Sequence, residues 1–128
     1  MKYLLDTHTA LWWINENENL SFTAKAMLLD NKHELFVSMV SAWEVAIKTS
    51  LGKLYEFKGG VKAFMQKLNN LPVTILPVSS HHIEAVEILP FLHRDPFDRF
   101  LVAIAKTENM TILTAEKDIP KYDVLSAW

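Results

Sequence analysis

The chain contains no cysteine, which excludes a disulfide scaffold, a thiolate zinc site and a cysteine nucleophile. It has only three glycines, Gly52, Gly59 and Gly60. Neither a dinucleotide fingerprint nor a P-loop can be assembled from them. Long apolar runs are also missing. The longest, Phe100-Leu-Val-Ala-Ile-Ala105, falls far short of the roughly 18 residues that span a bilayer, so no membrane association is expected. The opening Met1-Lys-Tyr-Leu-Leu-Asp6 meets an acid before the apolar core of a signal peptide can form, and a cytoplasmic location is expected. A dominant charge is lacking too. The formal net charge of −2 gives no bulk attraction for polyanions.

What is present is a globular composition. Of 128 residues, 50% are hydrophobic and 22% charged, which suits a single domain over residues 1–128 rather than a disordered chain. Charge is unevenly spread: residues 45–68 hold Lys48, Lys53, Lys58, Lys62 and Lys67 against one acid, Glu56. Such a run is either a solvated helical face or a track for a phosphate backbone.

Short apolar runs alternate with longer helical patterns. Tyr3–Leu5, Leu35–Ser38, Val73–Leu76 and Thr111–Thr114 read as strands of a buried parallel sheet. Helices are predicted near 8–15, 21–30, 39–51, 60–70, 79–89 and 96–109. Pro72 and Pro90 mark breaks. The tail after Lys121 offers a short edge strand. This rhythm predicts an α/β fold with helices on both faces of a parallel sheet.

In such sheets ligands bind where strand carboxyl ends meet helix amino ends. Four acids are expected there. Asp6 follows the first strand, where Asp6 or Thr7 could equally cap the next helix. Glu44 fits a capping box with Ser41, yet on a helical wheel it falls with Val40, Ile47 and Leu51. An unpaired carboxylate there needs a cation, either Lys48 at i+4 or a metal. Asp95-Pro96 is a helix-start signature. Asp98, three residues on, heads the stripe Leu101, Val102 and Ala105, with Arg99 and Lys106 on the solvated side. Glu116 follows the fourth strand, and Asp118 is its neighbour and rival. Carboxylates crowded on one edge repel unless cations neutralise them. Oxygen donors favour magnesium or manganese over zinc, as one ion or two, for activating water beside a phosphate.

Taken together, Tyr3-Leu-Leu-Asp-Thr-His-Thr-Ala-Leu-Trp-Trp13, Ser41-Ala-Trp-Glu-Val-Ala-Ile-Lys48, His93-Arg-Asp-Pro-Phe-Asp-Arg99 and Leu113-Thr-Ala-Glu116 resemble PIN-domain ribonucleases of the VapC toxin type. The resemblance spans nearly the whole chain in the right order. It implies a three-layer α/β/α sandwich and metal-dependent endoribonuclease activity, with Asp6, Glu44 and Asp98 as core carboxylates. It also implies an RNA substrate, a homodimer and a cognate antitoxin. The family usually has aspartate where this chain has Glu116, so Glu116 and Asp118 both stand as the fourth acid.

Around these acids, Thr7 and Thr114 read as hydroxyl caps or holders of water or phosphate. His8 and His93 are candidate RNA contacts, and His81-His82 reads as a surface pair. Trp12, Trp13 and Trp43 fit core or dimer contacts better than base-stacking platforms. A haloacid-dehalogenase-like phosphatase would need a second aspartate two residues after Asp6, where the chain has His8. The remaining alternative is a catalytically inactive PIN fold that binds RNA or protein.

Overall fold

A computed structural model describes residues 1–128. Five strands form one parallel sheet in the order β3-β2-β1-β4-β5: β1 Lys2–Leu5, β2 Glu34–Ser38, β3 Thr74–Leu76, β4 Thr111–Leu113 and β5 Ser126–Ala127. Six helices connect them: α1 Thr7–Ile14, α2 Phe22–Leu29, α3 Met39–Ser50, α4 Gly60–Leu68, α5 Ser80–Ile88 and α6 Pro96–Glu108. A 3-10 turn at Ile119–Lys121 leads into β5, the edge strand expected of the tail. No helix is long and apolar enough to cross a membrane.

Strand alternation divides the core in two. Tyr3 and Leu5, Leu35 and Val37, and Leu113 point to one face, against Leu11, Leu28, Val45, Phe64 and Leu68 of α1–α4. Leu4 and Ile112 point to the other, against Leu101, Val102 and Ile104 of α6. The predicted three layers follow directly from this period of two. Each fully buried leucine or isoleucine in these clusters contributes about 1.5–3 kcal/mol.

Caps set the helix boundaries. Ser38 caps α3, accepting from the Val40 N–H at 3.0 Å, which corrects the expectation of Ser41 as cap. β2 runs into α3 without a loop, so the last strand residue supplies the cap and Ser41 is buried inside the helix. Asp95 caps α6 with Pro96 at the first helical position, as its signature predicts. Gly59 precedes α4 with φ at +99°, and a Cβ there would lie 2.6 Å from that of Ala63. Only glycine fits.

Two further expectations are corrected. His82 is not on the surface: it is 1% exposed, accepts from the Ser79 N–H at 3.1 Å and reaches Glu108 at 2.8 Å. It therefore ties α5 to α6, while His81 stays exposed. On α3, Val40 and Glu44 are buried but Ile47 and Leu51 are exposed. Apolar residues cover more than half of that helix's circumference, so periodicity could not single out the part that Ala42 and Val45 turn to the core.

Candidate metal centre

The chain order reverses at β1, flanked by β2 on one side and β4 on the other. The crevice at such a switch point is where open α/β sheets place ligands. Asp6 stands there. It caps α1, accepting from the Thr9 N–H at 2.7 Å, and also accepts from the Thr114 hydroxyl at the end of β4. The Thr9 hydroxyl in turn donates to the Leu113 carbonyl at 2.9 Å. Capping and site position are thus one geometry, since the capping carboxylate lies in the crevice. Burial pushes Asp6 above the usual carboxylate range, against the pull of hydrogen bonds from Thr114 and Thr9 and the charge of His8.

Glu44 comes from the second turn of α3 and is 3% exposed. The Thr7 hydroxyl donates to its Oε1 at 2.6 Å, and Ser41 Oγ lies 2.9 Å from the same Thr7 oxygen. Lys48, one turn along, reaches Oε2 at 2.5 Å. Burial pushes the Lys48 ammonium down, but the hydrogen bond and charge of Glu44, with Asp95 and Asp98 adding, hold it above the usual lysine range. The i+4 pairing expected of these two residues is present, and Thr7 serves Glu44 rather than a helix cap.

Asp98 sits in the first turn of α6 with its side chain 13% exposed. Burial pushes its carboxyl up first, then the charges of Asp95, Glu116, Asp6 and Glu44, to about 8. Those four carboxylates, delivered by the start of α6, the segment after β4, the segment after β1, and α3, all act on Asp98. Glu116 is half-exposed, with His8 Nδ1 at 3.5 Å from its Oε1 and its N–H donating to Thr114 at 2.9 Å. Asp118 instead pairs with Lys121 at 2.6 Å, a hydrogen bond that lowers its pKa.

The donor set fits a hard divalent cation: carboxylate oxygens in excess, with the half-buried Lys48 hydrogen-bonded to one of them, Glu44. No three of the Asp, Glu and His side chains already close on one point as a ready-made ion site. Each acid is instead drawn to its own partner: Thr114, Lys48, His93 or His8. Asp6 and Glu44 are buried and Asp98 nearly so, while Glu116 reaches the surface. The cavity of about 290 Å³ lined by Trp13, Glu16, Leu20, Lys25, Leu28 and Leu29 is formed elsewhere, by α1, α2 and the turns beside them.

Sequence reasoning missed one neighbour. Tyr122 is 4% exposed and its hydroxyl lies 2.8 Å from His93 Nδ1. Arg99, expected in solvent, is half-buried: its Nη1 donates to the Pro90 carbonyl at 2.8 Å and to the Tyr122 hydroxyl at 3.1 Å, over the ring of Phe91. Nothing local marks Tyr122, because only the turn before β5 brings it to α6. Of the tryptophans, Trp12 and Trp13 pack on the core, while Trp43 is 53% exposed, edge-on to Phe97.

A parallel α/β domain with acids gathered at its switch point defines a small class of proteins. The chain belongs to the PIN domain family, whose model matches residues 3–125. It is 27% identical to ribonuclease VapC22 of Mycobacterium tuberculosis over 114 residues, covering 89% of this chain and 86% of that one. Its fold is that of the VapBC2 structure from Rickettsia felis bound to a promoter DNA fragment, with a TM-score of 0.73 at 19% identity over 100% and 99% of the two chains. FitAcB from Neisseria gonorrhoeae matches with a TM-score of 0.66 at 18% identity, over 97% and 95%.

Proposed function

We propose that this PIN domain is a metal-dependent endoribonuclease, the toxin of a toxin–antitoxin pair, with Asp6, Glu44, Asp98 and Glu116 as its metal-holding carboxylates. The observation that carries the reading is that these acids come from four separate segments and lie near enough for Asp6, Glu44 and Glu116 to raise the Asp98 carboxyl, with the half-buried Lys48 on Glu44. VapC22, a ribonuclease by name, supports the activity. The VapBC2 and FitAcB structures support an antitoxin partner. A homodimer and action in the cytoplasm belong to the same proposal.

Magnesium or manganese, bound as one ion or two, would supply Lewis-acid polarisation of the phosphate and a water of lowered pKa. The residues of the chain prepare for this. Thr114 and Thr9 fix the orientation of Asp6. Thr7 and Lys48 hold one oxygen each of Glu44, so its position does not depend on a ligand. The helix dipole of α6 favours ionised Asp98, which its acidic neighbours oppose until a cation arrives. Glu116, on a longer side chain and half-exposed, completes the cluster from the β4 side. Asp118 is engaged by Lys121 and takes no part.

The test is cleavage of single-stranded RNA by the purified protein, with magnesium or manganese and with EDTA. Cutting should require the metal, leave 5′-phosphate ends and fall by orders of magnitude in Asp98→Asn. Glu116→Gln should raise the metal concentration for half-maximal cleavage, whereas Asp118→Asn should hardly change it. Metal-independent cutting would sink the mechanism. RNA binding without cutting under any metal would favour the inactive binding module, and a silent Glu116 change with a dead Asp118 variant would reassign the fourth acid.

A further inference from the structure

His93 stands beside Asp98 with its side chain 9% exposed, and its Nε2 is buried without a hydrogen-bond partner. Asp98 Oδ2 lies 3.6 Å away, just beyond hydrogen-bond range. The other ring nitrogen is engaged by the Tyr122 hydroxyl at 2.8 Å. Which nitrogen carries the proton follows from counting donors and acceptors. Arg99 Nη1 donates to the Tyr122 oxygen at 3.1 Å, and the Leu92 N–H points to it at 3.4 Å. Both lone pairs of that oxygen are then taken. The phenol proton is left for His93 Nδ1, which must accept, so Nε2 holds the hydrogen of the neutral ring.

We propose that Arg99 and Tyr122 lock His93 in the Nε2–H tautomer, and that this N–H is a positioning donor for Asp98. It holds one oxygen of the carboxylate and leaves the other free for a cation. This role rests on the reading of Asp98 as a metal-holding carboxylate and adds to it a residue that acts through another. A small rotation of Asp98 closes the gap to Nε2. The reverse tautomer would present a lone pair to the ionised carboxylate, the form that holds a cation, and push it away. Carboxylates that hold metals are commonly oriented by such outer partners, whose loss costs about 10–100-fold in affinity.

Two measurements test it. In the metal-free protein, nitrogen-15 NMR of the imidazoles should find His93 protonated at Nε2, and in Tyr122→Phe a shift toward the Nδ1–H form. Manganese alone, titrated by calorimetry, should bind about 10–100-fold more weakly to Tyr122→Phe and His93→Phe than to the wild type. His93→Gln, whose amide keeps an N–H at the Nε2 position, should recover most of the loss, as a purely space-filling role would not allow. An Nδ1–H tautomer in the wild type overturns the proposal. So does unchanged manganese affinity in both Phe variants while the wild type binds. A wild type that binds no manganese overturns the metal reading and this role together.

Discussion

Asp98 carries the site's electrostatic tension in one residue. Its carboxyl is held at about 8, against an ordinary 3.8, by burial and by Asp95, Glu116, Asp6 and Glu44. Between those values the metal-free native state keeps a proton that the unfolded chain has released. The contribution of Asp98 to stability therefore falls as pH rises from about 4 through about 8, and levels above that. Asp98→Asn removes the titrating group while keeping its shape. In EDTA it should melt above the wild type by a margin that is small near pH 4, widens up to about pH 8 and then stays constant. Thermal melts across that range check this, and a margin independent of pH would contradict the raised value. A site residue whose removal stabilises the fold is the usual trade between function and stability.

At the level of elements, the helices are set by their caps, and caps are the most local of signals. Asp95-Pro96 starts α6 where the sequence expects it. Asp6 shows how one residue serves two ends, capping α1 and standing in the crevice. The pairing of α5 with α6 is less local. It depends on His82, whose Nδ1 accepts from Ser79, so that Nε2 donates to Glu108 at 2.8 Å. His82→Leu should destabilise the protein by about 1–3 kcal/mol, because it takes the acceptor from the half-buried Ser79 N–H and removes a charge-assisted bond to Glu108. His81→Leu, at an exposed position beside it, should stay within about 0.5 kcal/mol. Urea denaturation of the two variants separates them, and equal effects would return the pair to the surface role expected from sequence.

Over the whole molecule, the lysine run leads away from the site. Lys48 touches Glu44, and the run continues through Lys53, Lys58 and Lys62, all exposed on and around α4, to Lys67 over the ring of Phe57. A net charge of −2 hides this local excess. If RNA follows it, Lys53→Gln and Lys62→Gln, each in an Asp98→Asn background, should weaken binding broadly. Each should reduce the slope of log affinity against log salt by about 0.7. Unchanged slopes in both would make the run an ordinary solvated face.

The sequence by itself determined the elements. Four strands and six helices lie within a residue or two of their predicted bounds, and the fifth strand falls in the tail, because alternation, helical period, caps and proline breaks all act within a few residues. It also pointed to Asp6, Glu44, Asp98 and Glu116 as acids for one edge, since parallel strands deliver the residues that follow them to one end of the sheet. Tertiary structure decided what those acids meet. The direct passage of β2 into α3 made Ser38 the cap and buried Ser41 near Thr7. The pairing of β4 with β1 set Thr114 on Asp6. The turn before β5 set Tyr122 between Arg99 and His93. Such contacts join residues far apart in the chain, and no periodicity encodes them. They exist only once packing has chosen which face of each helix turns inward, and on α3, whose apolar arc is broad, that choice belonged to the fold.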